Sequence, residues 1–476
     1  MQLAHKHILI LGLGESGLAC ALWCARQGAR VRVADTRVAP PYLGELNRRA
    51  PGVDFLVSRF DETFDKQVLK GVDLLVLSPG LSGGLMVVIH AQAAGIPVVG
   101  EIELFAQGLR ALGQNIPVPV LAITGTNGKT TTTALTGHLL RATGKTVGVA
   151  GNISPAALTA LMDAQDAGAL PDIWVLELSS FQLETTESLN PAAATVLNVS
   201  DDHLDRYIDL NEYASAKARI FNVTADHRHH PGVQVLNRND LRVRRMALAD
   251  RRIISFGLDA PGHEDDFGLR ANGHPIPGEP WIVQGHRFLL PVAELPISGL
   301  HNAANAMAAL ALCAALGFDA NALLPALRAF RGLPHRVEKV AEIEGVRWYD
   351  DSKGTNVGAT VAALKGMGAK VVVILGGDGK GQDFSPLAPA IKAHARAVVL
   401  IGADGPLIEK VIARTGVPIE NADSMADAVR RAQALAQPDD VVLLSPACAS
   451  FDMFRNYEHR AEVFIAAVRA LEAARC

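Results

Sequence analysis

The segment Gly125-Thr126-Asn127-Gly128-Lys129-Thr130-Thr131 lies between the apolar run VLAI and a stretch of helical composition. A glycine-bearing loop at a strand-to-helix junction turns backbone N–H groups toward phosphate oxygens. A lysine there can reach the terminal phosphate, and a hydroxyl such as that of Thr130 can ligate Mg2+. It is a shortened phosphate loop, because the wider GxxxxGK[ST] pattern would want glycine where Ile123 stands. Two further groups close apolar runs of the same series: Glu177 at the end of IWVLE and His203 in DDHLD. Mg2+ takes oxygen ligands and keeps several waters, so one carboxylate plus phosphates is a sufficient site, whereas histidine is a less usual ligand. Lys217, in YASAKARIF, reads from spacing alone as the charged face of an amphipathic helix.

A second glycine turn, Gly12-Leu13-Gly14-Glu15-Ser16-Gly17, follows the first apolar run, and Asp35 ends the second. Such a turn lets backbone approach a pyrophosphate at a helix N-terminus. Taken alone it fits a nicotinamide or flavin dehydrogenase, with the acid on a ribose hydroxyl. No hydride-transfer site is recognisable elsewhere, however, and Thr36-Arg37 directly after the acid can serve any nucleotide.

These loops need elements to hold them. A short β-branched run, a glycine-rich or polar turn and a helical stretch recur along the chain, as in parallel α/β sheets. With 476 residues and about 150 per domain, the expectation is an α/β chain of three domains, at 1–100, 101–332 and 333–476. Between about Gly232 and Pro296 the runs VQVLN, RIISFG and WIVQGHRFLL, without obvious helices between them, predict a small antiparallel insertion on the central domain. In such sheets ligands sit beyond the carboxyl ends of strands, where the motif residues fall. A formal net charge of −4 without long single-sign runs argues against sequence-independent nucleic-acid binding. The apolar stretches are too short or too interrupted for membrane insertion. Five cysteines without a CxxC pair fit a reducing cytoplasm. The run HRHH at 227–230 reads as a solvated loop.

Taken together, GTNGKTT, ELSSFQLE, NVSDDHLDRY, the Lys217 helix, SGLHNAANAMAALAL, GLPHRVE, DDSKGTN, GGDGK and SPACASFDMFRNYEHR stand in the order of the Mur ligases. The chain resembles that family from about residue 8 to about residue 465, and DSKGTN, LGGDGK and SPACAS are most similar to the branch that adds D-glutamate. The resemblance implies a Rossmann-like N-terminal domain for a UDP-sugar, a central P-loop ATPase-like domain and a Rossmann-like C-terminal domain. It implies ATP and Mg2+ as cofactors and UDP-MurNAc-L-Ala and D-glutamate as substrates, in a monomeric cytoplasmic enzyme; the alternative is another ATP-dependent amide ligase of the same superfamily, another Mur ligase or a folylpolyglutamate synthase-like one. The UDP end would meet Gly14, Glu15, Ser16, Thr36, Arg37 and Gly80, with Asn152 further along the substrate. Lys129, Thr130 and Glu177 match the ATP and first-metal positions. His203 and Lys217 match the second metal, Lys217 as a carbamate. Asn305, Arg336 and Asp351 match adenine, phosphate and ribose contacts, and Lys353 a charged contact near the reacting phosphate. Thr355, Lys380 and Ser450, flanked by Tyr457, would receive D-glutamate. Ser154 stands where the family usually has glycine, and Tyr457 where relatives have phenylalanine.

Overall fold

The structure, a computed structural model, describes residues 2–112, 118–203, 206–225, 231–272 and 278–473. The HRHH run lies outside the described residues, as does Cys476. Three sheets follow one another along the chain. In the first, β1 (His7–Leu11), β2 (Arg30–Asp35), β3 (Asp54–Val57), β4 (Leu74–Leu77) and β5 (Val98–Val99) are all parallel, in the order β3-β2-β1-β4-β5. Ile8, Leu9, Ile10 and Leu11 are all fully buried. That is why β1 reads as an unbroken apolar run: helices cover both faces of a parallel sheet. The chain reverses direction of winding between β1 and β4, and the crevice there receives the turn after β1 and Ser78-Pro79-Gly80 after β4. A Cβ at Gly17 would stand 2.0 Å from the Gly12 carbonyl oxygen, so only glycine lets the helix Glu15–Arg26 start this close to the strand.

The second sheet has nine strands: β6 (Val120–Thr124), β7 (Val147–Gly151), β8 (Ile173–Glu177), β9 (Ala193–Val196), β10 (Val233–Asn237), β11 (Ile253–Phe256), β12 (Phe267–Asn272), β13 (Glu279–Gln284) and β14 (Arg287–Pro291). Their order is β14-β13-β12-β11-β10-β9-β6-β8-β7. Only β12, β13 and β14 are antiparallel to one another. VQVLN and RIISFG, expected in the antiparallel insertion, instead form β10 and β11 and continue the parallel sheet from β9. The connection between them contains a short helix, Leu241–Arg244, and is long enough for the crossover that parallel neighbours need. The helix Leu300–Ala315 packs on this sheet and on the helix Lys129–Arg141, and every residue from Asn305 to Cys313 is buried. Among the described residues no helix is long and apolar enough to cross a membrane.

The third sheet, β15 (Glu338–Ile343), β16 (Val346–Asp350), β17 (Val371–Gly376), β18 (Ala395–Ile401), β19 (Ile419–Asn421) and β20 (Val441–Leu444), has the order β15-β16-β20-β17-β18-β19. It is parallel except for the β15–β16 hairpin. That hairpin turns through Glu344 and Gly345, both at positive φ, as a two-residue turn matched to strand twist requires.

Candidate active site

The phosphate loop leaves β6 and enters the helix Lys129–Arg141, with Gly128 at the helix N-cap in left-handed conformation. Gly128 is required twice: its φ is 85°, and a Cβ there would meet Asn305 Oδ1 at 2.3 Å. Gly125, at φ 153°, equally has no room for a side chain, because Leu197 lies against it. Thr126 is pinned from β9, its N–H donating to the Asn198 carbonyl and its hydroxyl accepting from Ser200 N–H. The Asn127 backbone is held by the side chain of Asn198 through two hydrogen bonds of 2.8 and 3.0 Å. Lys129 folds back and donates to the carbonyls of Gly125 and Thr126 at 2.9 and 2.8 Å. Burial holds its ammonium below the usual lysine range, with Glu177 and Asp202 acting in the opposite sense.

Glu177 ends β8 and is 2% exposed. Its Oε1 accepts from Asn152 Nδ2 at 2.9 Å, whereas the equally buried Oε2 has no hydrogen-bond partner. A buried carboxylate oxygen without a donor is costly unless a cation completes it, and hard oxygen is what Mg2+ takes. Glu177 therefore fits a first metal, with the Thr130 hydroxyl one helix start away.

Lys217 is the residue the sequence describes least well. It is 1% exposed, not on a solvated face; its Nζ donates to the Gly125 carbonyl at 3.0 Å and lies 4.3 Å from the Tyr213 ring centroid. Burial and then the neighbouring Lys129 drive its pKa well below the usual lysine value. As a bare amine it is no ligand for Mg2+. His203, at φ 56°, sits on the same side, with its ring edge-on to Phe181 at 4.7 Å and 3.8 Å from the Asp202 carboxylate.

The third sheet roofs this loop. A cavity of 360 Å³ lies between the two domains, lined among others by Gly128, Thr131, Asn302, Asn305, Arg336 and Asp351. Asn305 donates to Asn302, which in turn donates to the Ser298 carbonyl, so its amide is held in place at the cavity wall. Arg336 reaches across and donates to Thr130 Oγ1 at 2.7 Å. Asp351, buried and accepting from Ser445, is pushed up to about 7 by burial. Lys353 Nζ lies 3.7 Å from the Tyr457 ring centroid, and burial, followed by Arg336, lowers it to about 8. The Tyr457 hydroxyl, absent from a phenylalanine, bonds Glu458.

Thr355, Lys380 and Ser450 follow β16, β17 and β20 at one end of the third sheet. Ser450 is buried in a turn and not at a helix N-cap, since the next helix starts at Tyr457. Lys380 is exposed, at φ 51°, with its N–H donating to Asp378. Two residues not singled out from sequence hold these loops together. Gln382 accepts from Val357 N–H and donates to the Ala447 carbonyl. Arg460, fully buried, donates to Ser352 and to the carbonyls of Cys448 and Ala449. Burial lowers it to about 10, with Cys448 and the acids Asp452, Asp350 and Asp351 acting in the opposite sense.

Gly14, Glu15, Ser16, Thr36, Arg37 and Gly80 line a separate cavity of 330 Å³ in the first domain. Asp35 there is fully engaged: Oδ2 accepts from Leu13 N–H, and both oxygens take the Arg37 guanidinium at 2.8 and 2.7 Å. These bonds hold its carboxyl down to about 2. An acid so occupied has no oxygen left for a ribose, which removes the reason for a dehydrogenase. Glu15 bonds Ser154 Oγ and Ala156 N–H, and so ties the first domain to the second next to Asn152. Arg37→Ala should weaken binding of a ligand in this first-domain cavity and leave binding at the phosphate loop near its wild-type value, the pattern of lost uniform binding. Weakened binding at the phosphate loop alone would contradict the placement.

Residues 6–100 match the Mur ligase MurD-like N-terminal domain, 123–313 the Mur ligase middle domain, and 335–448 the Mur ligase glutamate ligase domain. The chain is 57% identical to UDP-N-acetylmuramoylalanine–D-glutamate ligase of Aromatoleum aromaticum, over 98% of each chain. It is 54% identical to the protein of that name from Nitrosospira multiformis, over 100% of this chain and 98% of the other. In fold it is similar to MurF ligase from Thermotoga maritima in complex with ADP, with a TM-score of 0.60 at 16% identity over 100% of this chain and 99% of that one.

Proposed function

Because the chain belongs to the Mur ligase family, we infer from its site that it is an ATP-dependent acid–amino-acid ligase that joins D-glutamate to UDP-N-acetylmuramoyl-L-alanine in peptidoglycan precursor synthesis. The observation that carries the reading is the cavity between the second and third sheets, lined by Gly128 and Thr131 of the phosphate loop and by Arg336 and Lys353 of the third domain, with Arg336 bonded to Thr130. Domain boundaries near residues 100 and 332 separate a nucleotide-sugar domain, an ATP domain and an amino-acid domain. The enzyme acts as a monomer in the cytoplasm; the four cysteines among the described residues are buried and free, which suits a reducing compartment.

A carboxylate is a poor amide donor, so the substrate carboxylate first attacks the γ-phosphoryl group of ATP, and ADP leaves. The D-glutamate amine then attacks the acyl phosphate, phosphate departs and the amide remains. Both partners of the first step are anionic, so the protein's main task is to neutralise charge at the transferring oxygens. Lys129 swings from its loop carbonyls to the terminal phosphate, Arg336 and Lys353 meet it from the third domain, and Asn305 and Asp351 seat adenine and ribose. Glu177 and Thr130 would hold one Mg2+, and His203 with a carbamylated Lys217 a second; the metal supplies positive charge against the phosphates. Thr355, Lys380 and Ser450 take the carboxylates of D-glutamate beside the Tyr457 ring.

Incubation with ATP, Mg2+, D-glutamate and UDP-N-acetylmuramoyl-L-alanine should release phosphate only when all four are present, and L-glutamate should not replace the D form. Release independent of the nucleotide sugar, or equal rates with both enantiomers, would overturn the assignment. The pKa of Lys353 adds a pH signature: its cation is present below about 8 and lost above it. The kcat/KM for ATP, which reports free-enzyme groups, should therefore fall on an alkaline limb near pH 8. Lys353→Arg should move that limb to higher pH, and an unmoved limb would assign it to another group.

A further inference from the structure

We propose that Asn356 is a positioning residue that fastens the amino-acid loop of the third domain to the phosphate loop of the second, so that D-glutamate binds tightly only when the two are docked. The inference rests on the function proposed above and extends it to a residue with no part in the chemistry.

Asn356 is 8% exposed and uses its whole hydrogen-bonding capacity. An amide offers two donors and two acceptor positions. Oδ1 accepts from Ala359 N–H at 2.9 Å, capping the helix Val357–Gly366, and from Asn127 Nδ2 at 3.3 Å. Nδ2 donates to Asn127 Oδ1 at 3.1 Å and to Asp202 Oδ2 at 3.3 Å. The orientation of the amide is forced from two sides, because a backbone N–H can only donate and an ionised carboxylate can only accept. Three of the four bonds cross between domains. They end on the side chain of a phosphate-loop residue and on an acid whose charge acts on both Lys129 and Lys217.

The helix behind Asn356 is shaped for this docking along its length. A Cβ at Gly358 would lie 2.8 Å from Ser200 Oγ and 3.3 Å from Asn127 Nδ2. At the far end, a Cβ at Gly366 would stand 3.1 Å from Gly299 Cα and 3.0 Å from His301 Nδ1, and His301 also bonds the backbone of Ala362. Glycine at both ends lets the helix lie flush on the central domain. Thr355, a proposed D-glutamate contact, directly precedes Asn356, and its N–H is tied to the Lys353 carbonyl. Displacing Asn356 therefore displaces the amino-acid contact and the phosphate contact together.

Asn356→Asp separates docking from helix capping. Aspartate caps a helix as well as asparagine does, but it has no hydrogen to donate and sets a second carboxylate against Asp202. Hydrogen bonds to a charged group are strong enough that their loss should raise the D-glutamate KM by roughly tenfold to a hundredfold, with the ATP KM and the thermal midpoint near wild type. Asn356→Asp combined with Asp202→Asn restores a donor opposite the new carboxylate and should recover most of the loss. Gly358→Ala wedges the same contact apart while leaving the Asn356 side chain itself unaltered and should give the same selective rise. It also keeps the question open to test if Asn356→Asp fails to fold. A D-glutamate KM unchanged in both variants, in an assay where the wild type releases phosphate with D-glutamate, would overturn the docking role. Absence of D-glutamate-dependent release from the wild type would instead overturn the proposed reaction.

Discussion

Lys217→Ala should bring ligation down by on the order of a thousandfold or more, the scale seen when a group stabilising transition-state charge is removed, and millimolar acetate or formate should restore part of it. The argument starts from burial. An ammonium at 1% exposure beside Lys129 is disfavoured twice, by desolvation and by like charge, which favours the neutral amine. A neutral amine can attack CO2: the new N–C bond forms, a proton leaves, and the amine becomes an N-carboxylate. That change turns a repellent neighbour of Mg2+ into a hard oxygen ligand, and it relieves the repulsion with Lys129. Alanine leaves space that a small carboxylate can occupy, which is the basis of the rescue. A mass increase equal to one CO2 on the native protein, and its absence in Lys217→Ala, would check the modification independently of turnover. Full activity in Lys217→Ala would return the residue to a packing role.

Glu177→Gln should be nearly as damaging to activity, on the order of a thousandfold, yet harmless or favourable to folding. The two effects have one cause. Oε2 is buried with no hydrogen-bond donor, so changing that atom breaks no hydrogen bond of the fold. Glutamine keeps the shape and the contact to Asn152 and removes the charge. Without Mg2+ the thermal midpoint should hold or rise, and the Mg2+ concentration for half-maximal activity should increase steeply. An unchanged Mg2+ dependence would show that the metal is held elsewhere.

Features whose physics is local are readable from the residues alone. The phosphate loop was legible because glycine, lysine and threonine act within one strand-to-helix turn, and Gly128 stands there at positive φ. The parallel α/β character followed from apolar runs buried on both faces. The family resemblance, carried by motifs spread over the chain, matched the domain comparisons in order and extent.

Strand direction was not legible, since alternation reports which face a residue takes and not which way its neighbour runs. VQVLN and RIISFG accordingly pair parallel, against expectation. The standing of Lys217 was decided only by tertiary packing: its spacing is that of a solvated helix face, and what makes it special is a loop carbonyl 92 positions away in sequence. Arg460, Gln382 and Asn356 escaped notice for the same reason, because each takes its role from partners on other strands or another domain. A motif records which groups are available. Burial, the absence or presence of a donor and the approach of a second domain determine their charge state and geometry, and those arise only when distant segments share one cavity.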